Sequence, residues 1–222
     1  MGKRLLPFRQ YNEHDVINMF ALDDSVLTAT QSFTETHSGD AGVFVKVTAG
    51  NLNDDPVKYD LTSRNSYLGK TDYPFVGNEG KGMYPSVTLK VAPASSGDIR
   101  PLGLTLWETA KYDENGQKLI YYPQKAYENQ VLLPGQSVPV ATKGIFTLTS
   151  EAYTTGGGKW LVGNPFVLSA TAGKVSGVDP TYNAGVGAQI IGTILATGSR
   201  GDNGATIADK YAGNYAMIKL NA

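Results

Sequence analysis

Cysteine is absent from the 222 residues. That excludes disulfides and thiolate metal sites, and it fits a protein made in a reducing cytoplasm. Durability must then come from the core, or from contacts between subunits. Histidine is nearly as scarce, with only His14 and His37. A nucleophile needs a base beside it, usually held by a third group. Neither histidine stands in such a pattern, no Gly-x-Ser-x-Gly elbow occurs, and both read as surface residues. Charge of one sign is also missing: 19 basic residues face 20 acidic ones, for a formal net charge of -1. No Lys/Arg cluster is present to displace counterions from nucleic acid, so no nucleic-acid partner is expected. Long apolar runs are lacking too. The stretch from Val186 to Ala196 is roughly half a bilayer span and is broken by glycine, so no membrane span is expected. The basic opening Lys3-Arg4-Leu5-Leu6 resembles the start of a signal peptide. Arg9, Asn12, Glu13, His14 and Asp15 then arrive where its apolar region should be, and none is expected.

What the chain does have is turn and strand chemistry. It carries 26 Gly, 11 Pro and 13 Tyr with many Val and Thr, and 41% of its residues are hydrophobic against 18% charged. Gly and Pro supply turns, while Val, Thr and Tyr suit pleated, half-buried surfaces. The expected fold is all-β, a small barrel or sandwich. Residues 12–222 form the β domain, with about 51–130 read as a long irregular insertion or subdomain.

Residues 1–11 read as an extended arm, in which Pro7 removes a donor and biases Leu6 away from the helical region. Leu5, Leu6, Pro7, Phe8, Arg9 and Tyr11 are the candidate interface residues. The leucines, Phe8 and Tyr11 offer apolar area to a neighbouring subunit, and Arg9 meets acidic groups at the rim. An edge strand packed on the chain's own domain is the alternative. Residues 12–22 fit a short helix, a strand over Val16 to Leu22 fits about equally well, and the strand is favoured.

Further strands are expected at Ser25 to Phe33, Gly42 to Val47, Ser86 to Val91, Gly144 to Thr149, Trp160 to Val162, Phe166 to Ser169, Gly187 to Ala196 and Tyr215 to Leu220. A hairpin is expected with arms Leu102 to Tyr112 and Lys118 to Tyr122, because Asn115-Gly116 suits a primed turn.

Other chemistry is thinly represented. His14-Asp15 lacks partners at ligand spacing, and neither Asp54-Asp55 nor Asp113-Glu114-Asn115-Gly116 matches a twelve-residue calcium loop. The Gly77-Asn78-Glu79-Gly80-Lys81-Gly82 run precedes Tyr84-Pro85, which opens a helix poorly, so it reads as a turn rather than a phosphate cradle. Tyr121, Tyr122 and Tyr127 could stack on sugars or bases; without adjoining cations they read as packing or protein contacts. No cofactor, metal or catalytic set is expected, although sequence spacing leaves paired carboxylates open.

The run from Leu133-Pro134-Gly135-Gln136 through Val138-Pro139-Val140 to Gly144-Ile145-Phe146-Thr147-Leu148 resembles tailed-bacteriophage capsid decoration, or cement, proteins. There a Gly turn leads into an apolar strand and then an aromatic-centred one. Gly163 to Leu168, Ala172 to Val175, Gly187 to Leu195 and Tyr215 to Leu220 continue the likeness. The opening, Arg4 to Tyr11 into His14 to Asn18, is similar to virion proteins of aquatic phages. Residues 51–129 have no counterpart in that pattern.

The resemblance implies a β-tulip-like decoration fold and a non-enzymatic role on the outside of an icosahedral head, after synthesis in the host cytoplasm. Its partners would be the major capsid protein and copies of itself, a trimer favoured over a dimer. A virion fibre or receptor-binding module for host-surface glycans is the alternative. A β-fold hydrolase rests only on the unplaced carboxylates.

Overall fold

The computed structural model describes residues 4–22, 41–49, 89–98, 100–109, 115, 117, 119–132, 137–155, 159–181, 189–201 and 212–222. The strands are β1 (Leu5–Gln10), β2 (Val16–Ile17), β3 (Ala21–Leu22), β4 (Phe44–Ala49), β5 (Lys90–Pro93), β6 (Gly103–Thr105), β7 (Glu108–Thr109) and β8 (Val131–Leu132). They continue with β9 (Val140–Ala141), β10 (Lys143–Thr149), β11 (Tyr153–Thr154), β12 (Pro165–Leu168), β13 (Val175–Gly177), β14 (Gly192–Arg200) and β15 (Gly213–Asn221). Among the described residues the α-helical content is one short element, α1 (Pro123–Glu128), beside 3-10 turns at Glu13–Asp15 and Leu119–Tyr121. The protein is all-β, as its composition leads one to expect.

Seven strands form one sheet in the order β1-β10-β15-β14-β12-β13-β11, and six form another in the order β2-β9-β6-β4-β5-β3. β7 and β8 make a separate parallel pair. The centre of the larger sheet is antiparallel and reads directly from side-chain alternation. Phe146 and Leu148 of β10 and Ala216, Ile218 and Leu220 of β15 are buried, while their neighbours Ile145, Met217 and Lys219 turn the other way. The inward set meets Phe44 and Leu104 of the smaller sheet in one shared core. Phe44 contacts Phe166 edge to face, with ring centroids 6.3 Å apart.

The smaller sheet is covered on both faces. Phe44, Leu104 and Ala141 face the larger sheet. Val43, Val45, Val91 and Val140 join Leu132 and Val138 in a second cluster, with Phe20 and Trp107 packed against it. This is why Phe44 and Val45, consecutive in β4, are both fully buried. Only Thr142 separates β9 from β10, so the chain passes directly from one sheet to the other there. The N-terminal segment follows the same corner: β1 pairs with β10 and β2 with β9, both antiparallel.

Several expectations change. The strand favoured over Val16 to Leu22 forms only at its two ends, as β2 and β3, after the 3-10 turn Glu13–Asp15. The hairpin across Asn115-Gly116 is not formed, for its proposed return arm is the 3-10 turn Leu119–Tyr121 leading into α1. Pro123 at the first helical turn favours that outcome, and burial of Leu119 anchors it. β7 pairs instead with β8, in parallel. Trp160 to Val162 is a turn, closed by the Asn164 amide donating to the Leu161 carbonyl at 3.1 Å. Within the stretch read as an insertion, β5 and β6 are strands of the six-stranded sheet, because Val91 and Leu104 are needed in its cores. Ser25 to Phe33 and residues 51–88 lie outside the described residues.

Candidate interaction surface

β1 is the outer strand of the seven-stranded sheet. Its Leu5 lies opposite Leu148 and its Arg9 opposite Phe146, so four residues of β1 span two of β10. The extra length falls at Leu6, Pro7 and Phe8. An edge strand tolerates proline, and such an irregularity breaks the flat template that would recruit another strand.

Leu5 and Leu6 are buried by the chain itself, so the expected free arm is an edge strand at these positions. The cause is local: Leu5 completes the shared core, and Thr149 N–H donates to the Arg4 carbonyl at 2.9 Å. Pro7 is exposed, and Phe8 is 67% exposed. These two are the candidates that do face outward.

Arg9 turns toward the chain's own body rather than to a rim. Its Nη2 donates to Gln130 Oε1 at 3.0 Å, and its Nη1 donates to the Leu106 carbonyl at 3.3 Å. The guanidinium lies 6.0 Å from the centroid of the Tyr11 ring, a cation–π distance. Tyr11 itself stacks on Phe146 at 5.8 Å and stays partly exposed.

The surface continues past Gln130. That residue sits at φ 53°, in the left-handed region, where its amide donates to the Tyr127 carbonyl at 2.9 Å. The Tyr127 ring meets Trp107 edge to face at 5.7 Å and is 71% exposed. Tyr121 and Tyr122, just before α1, are exposed as well. Tyr11, Arg9, Gln130, Tyr127 and Trp107 therefore form a connected aromatic and polar surface. It binds β1 to the end of α1, 121 residues away. Trp107 and Gln130 are its unforeseen members. The lone Trp107 between Leu106 and Glu108 was a signal, whereas the conformation of Gln130 has none in the sequence.

The other sequence candidates do not assemble into chemistry. His14 is exposed, and its main-chain amide donates to Asn12 Oδ1 at 3.1 Å in a turn. Asn115 is an exposed turn residue. His37, Asp54-Asp55, Asp113-Glu114 and Gly77 to Gly82 lie outside the described residues. Among the described residues no group of three or more His, Cys, Asp or Glu side chains could hold a metal ion, and no helix is long and apolar enough to cross a membrane. Burial raises the Tyr153 phenol above its ordinary value, in line with its place under Trp160 at 4.4 Å. Compared with family models, curated proteins and solved structures, the chain has no match.

Proposed function

We propose that this protein is a non-enzymatic capsid decoration protein that binds the outside of an icosahedral phage head and bridges capsid subunits, assisted by copies of itself. One observation carries the reading. The segments that resemble decoration proteins supply β10, β12, β14 and β15, with β13 starting at Val175, which are neighbours in one sheet, and also β9 of the other sheet. The resemblance thus falls mainly on one sheet rather than on scattered turns. Exposed Phe8, Tyr121 and Tyr127 add the large aromatic side chains enriched at protein interfaces.

The test is reconstitution. Purified protein is mixed with expanded heads that lack it, and bound protein is measured by co-sedimentation and by averaged electron-microscopic images. Saturable binding at regular lattice positions is expected, with heads that resist heat better. Absence of binding to such heads would remove the reading.

The exposure of Tyr121, Tyr122 and Tyr127 favours a second reading, a glycan-binding virion module in which sugars stack on the rings. Glycan-array binding lost on Tyr127→Ala, in a protein located at the tail, would favour it over decoration.

A further inference from the structure

The net charge of -1 conceals a division along the sequence. Residues 12–130, which contain β2 to β6 of the smaller sheet, hold 16 of the 20 acidic residues and 10 of the 19 basic ones, a net of -6. The rest of the chain, which contains every strand of the larger sheet, has 9 basic residues against 4 acidic ones, a net of +5. The strands of that larger sheet contain Arg9, Lys143, Arg200 and Lys219 and no Asp or Glu.

Strand register says where these charges point. Directly opposed residues share a face. Ile145 opposes Lys219, which opposes Thr193, and the buried Thr147 opposes Met217, which opposes Ala196, so the face is open at its Lys143 and Lys219 end. This is the face turned away from the shared core, since Phe146, Ile218 and Ile194 fill the other one. Alternation along β10 adds Lys143 to the outer face. Leu195, at the register shift of β14, is partly exposed beside it. Gln10 opposes Ile145 and so shares this side. Among the described residues neither Lys143 nor Lys219 has a carboxylate within ion-pair distance, and both are exposed.

We infer that the Lys143 and Lys219 end of the outer face of the seven-stranded sheet is a docking surface for an acidic protein surface, with the two lysines meeting carboxylates around apolar contacts from Ile145, Met217 and Leu195. Charge complementarity selects the partner, because the face presents cations without a single acid on its strands. Nucleic acid fits less well. Its affinity depends on neutralising many phosphates, and here a few cations are spaced by apolar side chains that a phosphate backbone would leave unused. The inference deepens the decoration reading and rests on it for the identity of the partner, a capsid surface, although the face can be tested without heads.

The experiment uses the full chain and a Lys143→Glu/Lys219→Glu variant, with folding checked by circular dichroism. Binding to poly-L-glutamate, to a single-stranded oligonucleotide and to heads lacking the protein is measured at low and physiological salt. We expect the wild type to bind poly-L-glutamate in preference to the oligonucleotide. The double variant should bind poly-L-glutamate roughly tenfold more weakly or worse, while Met19→Ala, at an exposed residue between β2 and β3, leaves binding unchanged. Equal binding by the double variant, no wild-type binding, or preference for the oligonucleotide would overturn the inference. Heads separate the two proposals. If heads bind both forms alike, decoration stands and this face is the wrong one. If heads bind neither form while poly-L-glutamate discriminates, the face stands and the capsid reading falls. A variant that does not fold is replaced by Lys143→Gln/Lys219→Gln, judged by the same criteria.

Discussion

The main-chain amide of Phe44 donates to the carbonyl of Gly173 at 3.2 Å, and this bond ties the smaller sheet to the loop between β12 and β13 of the larger one. Gly173 N–H returns the connection, donating to the Ala94 carbonyl at 2.7 Å. The geometry demands glycine twice. Its φ is +74°, and a Cβ built there would lie 2.8 Å from Val43 Cγ1. Gly173→Ala should therefore destabilise the protein by about 2 kcal/mol or more, since left-handed strain and overpacking add. Urea denaturation with an unchanged slope and a lower midpoint is the expected result. An unchanged midpoint would mean that the two sheets are not joined through this loop.

The N-terminal strand allows a sharper separation. Leu5 contributes to the shared core, whereas Phe8 stands outside it. Leu5→Ala should cost about 2–5 kcal/mol, the range for a truncated buried leucine, while Phe8→Ser should leave the melting temperature nearly unchanged. Removing residues 1–9 should destabilise the whole domain, because β10 would lose one of its two partners and Leu5 its place in the core. A truncated protein that melts like the wild type would restore the free arm as the better description.

Much of this was legible in the sequence where one strand face is buried. β10 and β15 announce themselves through alternation around Phe146 and Ile218, and a period of two is a property of the local chain. The Asn115-Gly116 hairpin misled because turn chemistry gives local permission, while Leu119 and Pro123 direct the following residues into helical turns. Trp160 to Val162 looked like a strand for its apolar residues. Leu161 and Val162 are nonetheless exposed in a turn, and only Trp160 is buried, stacked on Tyr153. The contact of Arg9 with Gln130 was out of reach, since nothing in either segment specifies a partner 121 residues away. The register that puts Lys143 and Lys219 on one face was equally invisible until β10 and β15 were paired.

Thr147 lies in the middle of β10, buried, and its Oγ1 has no hydrogen-bond partner among the described residues. A buried hydroxyl without a partner carries its full desolvation cost, which is about 1–3 kcal/mol. Replacing it with a methyl of the same shape removes that cost. Thr147→Val should consequently leave stability unchanged or raise it, by up to about 1 kcal/mol. Thr147→Ser, which keeps the hydroxyl and opens a small void, should lower it. Thermal melts of the pair provide the check, and a clear loss in the valine variant would show that the hydroxyl is satisfied in solution.

The last prediction concerns pH. Asp98 accepts from Lys46 Nζ at 2.6 Å, from the Ser95 amide at 2.7 Å and from Ser95 Oγ at 3.1 Å. Burial pushes its carboxyl upward, but these hydrogen bonds and the Lys46 charge outweigh it, so the group sits below its ordinary value of 3.8. A depressed folded-state value means that the unfolded chain takes up the proton first as pH falls. The stabilisation is thus complete above the unfolded value and disappears as pH drops through the folded one. Lys46 and Asp98 are partly exposed, which screens the pair and limits its contribution to about 1 kcal/mol or less. Asp98→Asn keeps an acceptor for Ser95 but removes the charge, so it should be less stable than the wild type near pH 7. The difference should close progressively below about pH 4. Urea midpoints of both proteins across that range decide the matter, and a gap that stays constant with pH would show that the Asp98 charge contributes nothing.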